Sequence, residues 1–314
     1  MCRPDQSVLI ESVQLPKTMK KKYILFTIDV EDWYQVENLR RWFPVETWHK
    51  QTSRVELSTN KILDLLDSFP QRIKATFFVL GQVAEKMPRL INQIVSRGHE
   101  IASHGYNHKV CNTLNDKELF ADLDHSKKLL EDISGKEIFG YRAPSFSIST
   151  RVLRLIQDCG YYYDSSYNNF EMHGRYGKIE LNQYERKGIA IIIEKGFYEL
   201  PISNLKIAGR IVPWGGGGYF RVLPYWLYKH GVKYNLNAAG THLFYIHPWE
   251  IDDQQPRVSK SKSLAVLRHY VGLGKTYSRI EKMIGNFKYC RFISCNSYLK
   301  TVQLEKEASN YVHI

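Results

Sequence analysis

His104 and His108 stand four residues apart in IASHGYNHKV (residues 101–110), with Gly105 and Asn107 between them. On a helical turn, or on a loop folded like one, that spacing points both imidazoles the same way. Neutral imidazole is the commonest protein ligand for a transition metal. Two histidines need at least one more ligand, and a metal that activates water keeps one position open for it. The alternative for this stretch alone is a turn carrying two exposed histidines. The rest of the chain must therefore supply the missing parts, and it offers an acidic cluster, Asp29, Glu31 and Asp32, together with Arg142, Asp164 and His247.

The elements that carry these residues share one pattern. KYILFTI (22–28) is β-rich and mostly apolar, as a buried strand must be, and ends in the acidic cluster. KATFFVL (74–80) and HEIAS (99–103) repeat the pattern, and the second runs into the histidine turn. Helices are expected from Ser58 to Phe69 and through Val83, Met87, Leu90, Ile94 and Val95, with Gly98 as the stop. Asn115 and Glu118 form a capping pair for a helix ending near Gly135, and Ser149 caps another that Gly160 stops. IFGY and YYYD are short strands ending near Arg142 and Asp164, and LFYI ends at His247. Strand–helix alternation at this spacing implies parallel βα units with right-handed connections, hence a barrel or an open doubly wound sheet. In such folds the site gathers at the carboxyl ends of the strands, where all these residues fall. Any one of them has a plain structural explanation: an Asp after a strand is commonly a cap or turn former. Five strand ends carrying polar or titratable groups are harder to explain that way.

Residues 167–240 interrupt the rhythm. IAIII and FYELPIS read as strands, WGGGGYF as a glycine-rich turn, and PYWLYKHGVKYN as a short helix. Beyond residue 255, helical segments around 263–271 and 276–286 precede a strand-like KYCRFIS. The glycine run lacks the lysine and the strand–helix context of a phosphate loop; it suits a tight turn close to a ligand.

Composition narrows the classes. The formal net charge of +12 favours an acidic partner, such as an anionic glycan or membrane surface. The basic residues are scattered, so no nucleic-acid arm is present. Twenty-one tyrosines and six tryptophans offer flat faces that suit sugar rings as well as cores. The five cysteines include no C-x-x-C pair, and their odd number argues against a disulfide framework. No secretory core or membrane-spanning run is apparent, so a cytoplasmic location, at the inner face of a membrane, is the expectation. Residues 1–21 read as a disordered tail, 22–255 as the barrel and 256–314 as an extension packed on it.

TIDVEDW (27–33), SHGYNH (103–108), YRAPSFSI (141–148), YYYDSSY (161–167) and FYIHPWEID (244–252) fall in the order and spacing of one known family. Over about residues 22–298 the chain resembles the polysaccharide deacetylases, the NodB-like carbohydrate esterases. It is most similar to the exopolysaccharide- and exosortase-associated branch with a C-terminal extension; HGRYG, ELPIS, GGGGYFR and RHYVGL carry that likeness. The resemblance implies an incomplete or distorted (β/α) TIM-like barrel and a divalent metal, Zn²⁺ by preference, held by His104, His108 and one carboxylate. It implies Asp29 as the base that takes a proton from the attacking water, and His247 as the acid that protonates the departing amine. Arg142 would orient the base, Asp164 would hold and tune His247, and a backbone N–H near Ser145 would help hold the oxyanion.

Two departures from the family pattern bear on this. Motif one commonly has adjacent aspartates, but Val30 occupies the second place here. Glu31 is then the ligand by D-x-D spacing and strand alternation, with Asp32 as its rival. Motif three has Ser145 and Phe146 where an aromatic and a glycine usually follow the proline. Trp33, Tyr34, Tyr106, Phe146, Tyr219 and Trp249 are candidates to line a sugar groove, Trp33 and Trp249 foremost; each could equally be core. The expected activity is N-deacetylation of an exopolysaccharide or its lipid-linked precursor, without nucleic acid. A deformylase or small-molecule amidase, or a glycan binder without turnover, are the alternatives.

Overall fold

Five strands in succession bring the motif residues together: Tyr23–Val30 (β1), Thr76–Val79 (β2), Glu100–Ser103 (β3), Gly140–Tyr141 (β4) and Tyr163–Asp164 (β5). The computed structural model describes residues 21–170, 176–258 and 261–311. The tail expected over 1–21 therefore lies almost wholly outside the described residues, as does much of HGRYG. Every residue of β1 is buried, as its continuous apolar run requires of a strand covered on both faces. Ile24, Phe26, Ile28 and Val30 pack outward against the helices. Tyr23 and Leu25 face inward with Phe78, Ala102 and Tyr163. The same alternation carries Thr27 and Asp29 into the interior.

The helices follow from local chemistry. Val55–Asp67 (α1) links β1 to β2. One helix was expected through Val83–Val95, but there are two, Gly81–Lys86 (α2) and Pro88–Ser96 (α3). Met87 precedes proline and takes φ −134° and ψ 58°, outside the helical region, as the proline ring demands. Asp116–Ser134 (α4) begins with the expected capping box, Asn115 Oδ1 accepting from the Glu118 amide at 2.9 Å and Glu118 Oε2 from the Asn115 amide at 3.0 Å. It ends at Gly135 with φ 61°. Ser149 caps Thr150–Asp158 (α5).

The middle region adds Glu185–Lys187 (β6), Ala190–Glu194 (β7) and Phe197–Glu199 (β8), then the small hairpin Leu205–Ile207 (β9) and Arg210–Val212 (β10). The glycine run read as a turn instead opens a helix, Gly217–Val222 (α6), followed by Tyr225–Ala239 (α7). Thr241–Ile246 (β11), Leu264–Tyr270 (α8), Leu273–Asn286 (α9), Arg291–Ile293 (β12) and Cys295–Tyr311 (α10) complete the chain. The sequence reading missed α10.

The main sheet runs β11-β1-β2-β3-β4-β5-β8-β7-β6. It is parallel from β11 to β8 and antiparallel beyond. Its path is open, so the (β/α) barrel is incomplete, as expected. The second edge of β1 is shared, β12 pairing with Tyr23–Leu25 and β2 with Thr27–Val30. Cys295, Tyr298, Leu299 and Val302 of α10 join the inner apolar cluster at the Tyr23 end. The opposite end, where the parallel strands terminate, holds the titratable residues.

Candidate active site

Asp29 ends β1 facing inward, and Arg142 leaves β4 to meet it. The Arg142 side chain is fully buried and donates from Nη1 to Asp29 Oδ1 at 2.6 Å and to Thr27 Oγ1 at 2.9 Å. Its Nε donates to the Ser165 carbonyl at 3.0 Å and its Nη2 to Ser165 Oγ at 2.9 Å. The guanidinium also lies 4.0 Å from the Phe78 ring centroid. Four hydrogen bonds and a stacked face fix the planar fork in one orientation. Asp29 Oδ1 is thereby committed, and Oδ2 points towards His247 Nε2, 3.9 Å away.

Glu31, His104 and His108 converge beside this pair. One ligating atom from each lies within 4.8 Å of the others, and all three residues are buried. The histidine turn is a loop rather than a helix, with Gly105 at φ 73° and His108 at φ 53°. A Cβ on Gly105 would fall 2.9 Å from Asp122 Oδ2, so both the sign of φ and the close approach require glycine there. His104 Nδ1 lies 2.7 Å from the Arg142 carbonyl, which can only accept. The proton is therefore on Nδ1, and the Nε2 lone pair is left for a metal. Burial pushes the His104 imidazolium down to about 4, so the ring is neutral at pH 7. Glu31 Oε2 stands 2.7 Å from His108 Nε2 yet has no hydrogen-bond partner. Burial raises the Glu31 carboxyl, but the three surrounding imidazoles outweigh it and hold the group well below the ordinary range. Two imidazoles and one ionised carboxylate aimed at a common point fit a divalent cation with an open coordination position.

His247 follows β11 on the far side, with Nε2 3.4 Å from Glu31 Oε1. Burial lowers its imidazolium, but Glu31, Glu250 and Asp29 raise it more, to about 9. Its ring stacks on Trp249 at 5.1 Å, and Trp249 in turn on His269 at 4.3 Å. Trp249 Nε1 also donates to Glu31 Oε1 at 3.3 Å. These groups open into one cleft of about 810 Å³ including its mouth, walled also by Ser145, Phe146 and Tyr245. Ser145 and Phe146 both have positive φ, 56° and 55°. Consecutive non-glycine residues in that region are strained, a feature that gathers at functional sites.

Residues 17–163 match the family described as polysaccharide deacetylase, and residues 165–297 match DUF3473, a domain of unknown function. Residues 17–163 form a domain of the polysaccharide deacetylase family. A peptidoglycan-N-acetylglucosamine deacetylase of Bacillus cereus is 33% identical over 103 residues, 33% of this chain and 47% of that protein. A peptidoglycan deacetylase of Helicobacter pylori is 31% identical over 117 residues, 37% of this chain and 39% of that protein. The matches span less than half the length of these relatives. A Mycobacterium smegmatis structure of the polysaccharide deacetylase type covers 90% of this chain and 91% of its own at a TM-score of 0.59 and 19% identity, which bears on the fold alone.

Within this deacetylase-family fold, five expected site residues fall elsewhere. Asp32 turns away from the histidines: its carboxylate accepts from Ser53 Oγ at 2.5 Å and from the amides of Arg54 and Val55 at 3.0 and 3.3 Å. It caps α1 from a distance, so of the two candidate carboxylates only Glu31 reaches the histidines. Asp164 does not touch His247. It accepts from Ser166 Oγ at 2.6 Å and the Ser166 amide at 3.0 Å, and pairs with Glu199. Trp33 is core: only 1% exposed, it donates to the Thr52 carbonyl and packs edge-on against Tyr34 and Phe43. Tyr106 leans away over Gly81, with its hydroxyl on Glu85 at 2.7 Å. Tyr219 lines a neighbouring cavity, next to Phe170 and Arg268.

The sequence reading missed Glu250 and Arg221. Glu250 Oε1 lies 2.8 Å from His247 Nδ1, and its Oε2 accepts from Arg221 Nε at 2.7 Å. The signal available was the Glu three residues after His247, spaced as a capping box.

Proposed function

We propose that the chain is a metal-dependent carbohydrate N-deacetylase that releases acetate from N-acetylated sugar units. The observation that carries the reading is the meeting, in one cleft, of an Arg-braced carboxylate, a His₂Glu ligand set and a third histidine whose Nε2 lies 3.4 Å from Glu31 Oε1. Glu31, His104 and His108 would hold the divalent cation, zinc by preference, since two imidazoles and a carboxylate are a set that zinc accepts with one position left open. The chemistry it supplies when bound is Lewis acidity, which lowers the pKa of water and offsets developing negative charge.

The chain's own residues account for the proton movements. Asp29 Oδ2 takes a proton from the attacking water, while Arg142 holds Oδ1 and keeps the carboxylate oriented. The carboxylates of Glu250 and Asp29 favour the protonated form of His247, which presents Nε2 to the cleft, where it would pass a proton to the departing nitrogen. An amine is a poor leaving group unless protonated, so the acid is as necessary as the base. The products are acetate and the free amino sugar. Ser145 and Phe146 shape the wall where the acetyl group would lie.

The substrate proposed is a polysaccharide, or its lipid-linked precursor on the route to an exopolysaccharide. The open cleft suits a chain better than a small amide, and the charge of +12 suits an anionic glycan or membrane face. No helix among the described residues is long and apolar enough to cross a membrane. The test is acetate release by zinc-loaded protein from a panel of N-acetylated glycans. Asp29→Asn should keep fold and metal but lose about 10²–10⁴-fold in rate, the usual worth of acid–base assistance. Wild-type rates in Asp29→Asn would overturn the base assignment. No release from any glycan by the wild type would favour a binding protein instead.

A further inference from the structure

His247 has two ring nitrogens, and only one can face the cleft at a time. Asp164, the residue the family resemblance assigns to hold it, is engaged by Ser166 and Glu199 instead. Three observations locate a replacement in the second half of the chain. Glu250 Oε1 lies 2.8 Å from His247 Nδ1 and also accepts from the His247 amide at 3.2 Å. Its other oxygen is gripped by Arg221 Nε at 2.7 Å. Arg221 is itself 4% exposed and fixed by the carbonyls of His269 and Val271, at 2.7 and 2.6 Å from Nη1. Finally, a Cβ on Gly217 would fall 2.3 Å from both Glu250 carboxylate oxygens. Gly217 opens α6, and any side chain there would displace the carboxylate.

We propose that Glu250, clamped by Arg221 and admitted by Gly217, is the positioning residue for His247, in the place the family's aspartate would take. The proposal rests on the reading of His247 as the general acid. A carboxylate held ionised by a guanidinium can only accept, so it fixes a proton on Nδ1 and turns Nε2 to the cleft. The stack on Trp249 then sets the plane of the ring. Arg221 comes from α6 and its carbonyl partners from the end of α8, so the second half of the chain builds the acid side of the cleft.

The experiment pairs kinetics with a spectroscopic reading of the tautomer. Long-range ¹H–¹⁵N correlation on the wild type should show His247 protonated at Nδ1. Glu250→Gln should lose that signature, because an amide turned to satisfy Arg221 presents its NH₂ to Nδ1. Asp164→Asn should leave the signature in place. On an N-acetylated chitooligosaccharide, Glu250→Gln should lower kcat by about 10²–10⁴-fold with KM nearly unchanged. On 4-nitrophenyl acetate, whose phenolate leaves without a proton, it should change little. Gly217→Ala, which displaces the Glu250 carboxylate, should reproduce the same split should Glu250→Gln fold poorly. Equal loss on both substrates, an unchanged kcat on the amide, or a wild-type His247 protonated only at Nε2 would overturn the proposal. Failure of the wild type to release acetate from any glycan would instead sink the deacetylase reading, and the tautomer measurement alone would then decide the role of Glu250.

Discussion

Replacing Arg142 by Met tests whether the buried ion pair is the brace of the site. Methionine keeps most of the volume against Phe78 but strips Asp29 of its hydrogen-bonded guanidinium, leaving only the His247 ring, 3.9 Å from Oδ2, as a charged neighbour. Breaking a buried pair by removing one partner costs about 3–5 kcal/mol. The acceptors on Thr27 and Ser165 lose partners as well, each worth about 1 kcal/mol. An upper bound on the charge part comes from protonation. A carboxylate that cannot remain charged can take up a proton, which at pH 7 costs an ordinary aspartyl group about 4 kcal/mol at 1.36 kcal/mol per unit. The direction with pH follows: in the variant the folded state prefers the protonated acid, so the deficit is largest near pH 7 and shrinks as pH falls towards 4. Asp29→Asn in the Arg142→Met background removes the charge and should recover most of the loss. Urea unfolding with chelator present, at pH 7 and pH 5, reads the four corners of the cycle without a contribution from bound metal. A deficit below about 1 kcal/mol for Arg142→Met, against the range expected for a buried pair, or no recovery in the double variant, would refute the brace.

Glu31→Gln, His104→Ala and His108→Ala should each abolish stoichiometric zinc binding after dialysis, whereas Asp32→Asn should retain it and lose about 1–2 kcal/mol in unfolding, as a lost helix cap does. Unchanged metal content in the first three would dismiss the ligand set. Burial lowers the imidazolium of His99 to about 4 and that of His242 to about 3, so the folded state holds both neutral while the unfolded chain protonates them near 6.5. Stability that is present above pH 6.5 should therefore fall as pH drops towards 4, and replacing both with Gln should flatten that part of the urea midpoint profile.

Much of the scaffold was legible because its signals are local. The apolar run of β1, the Asn115 box, Gly135 and Ser149 all act within a few residues, and the structure places elements where they fall. The split at Met87 was legible too, since Pro88 forbids the helical region to its neighbour; a 3.6-residue apolar pattern running across it concealed the break. Trp33 and Tyr106 were misread because adjacency to a motif residue does not fix the direction of a side chain. Trp33 follows the strand into a loop whose own aromatic residues enclose it, and Tyr106 is drawn to Glu85 on α2. Asp32 went astray for a related reason: it serves the first turn of α1, 23 residues ahead in sequence, where no spacing rule reaches.

Asp164 is the instructive error, because residue type, strand position and family motif all favoured it. What decided its role was a second carboxyl, Glu199, on the strand beside it. Two buried carboxyls in contact cannot both ionise, and burial pushes both up from the ordinary range. A proton-sharing pair is a poor holder for an imidazolium, which needs a full negative charge at Nδ1. Glu250 has one, since burial raises it but Arg221 and His247 more than offset that and hold it below the ordinary range. A motif aspartate can thus keep its position and lose its expected work when a neighbouring strand brings a second acid. Its replacement must then come paired with a cation, as Glu250 does with Arg221, some 29 residues apart in sequence and in contact only through the fold.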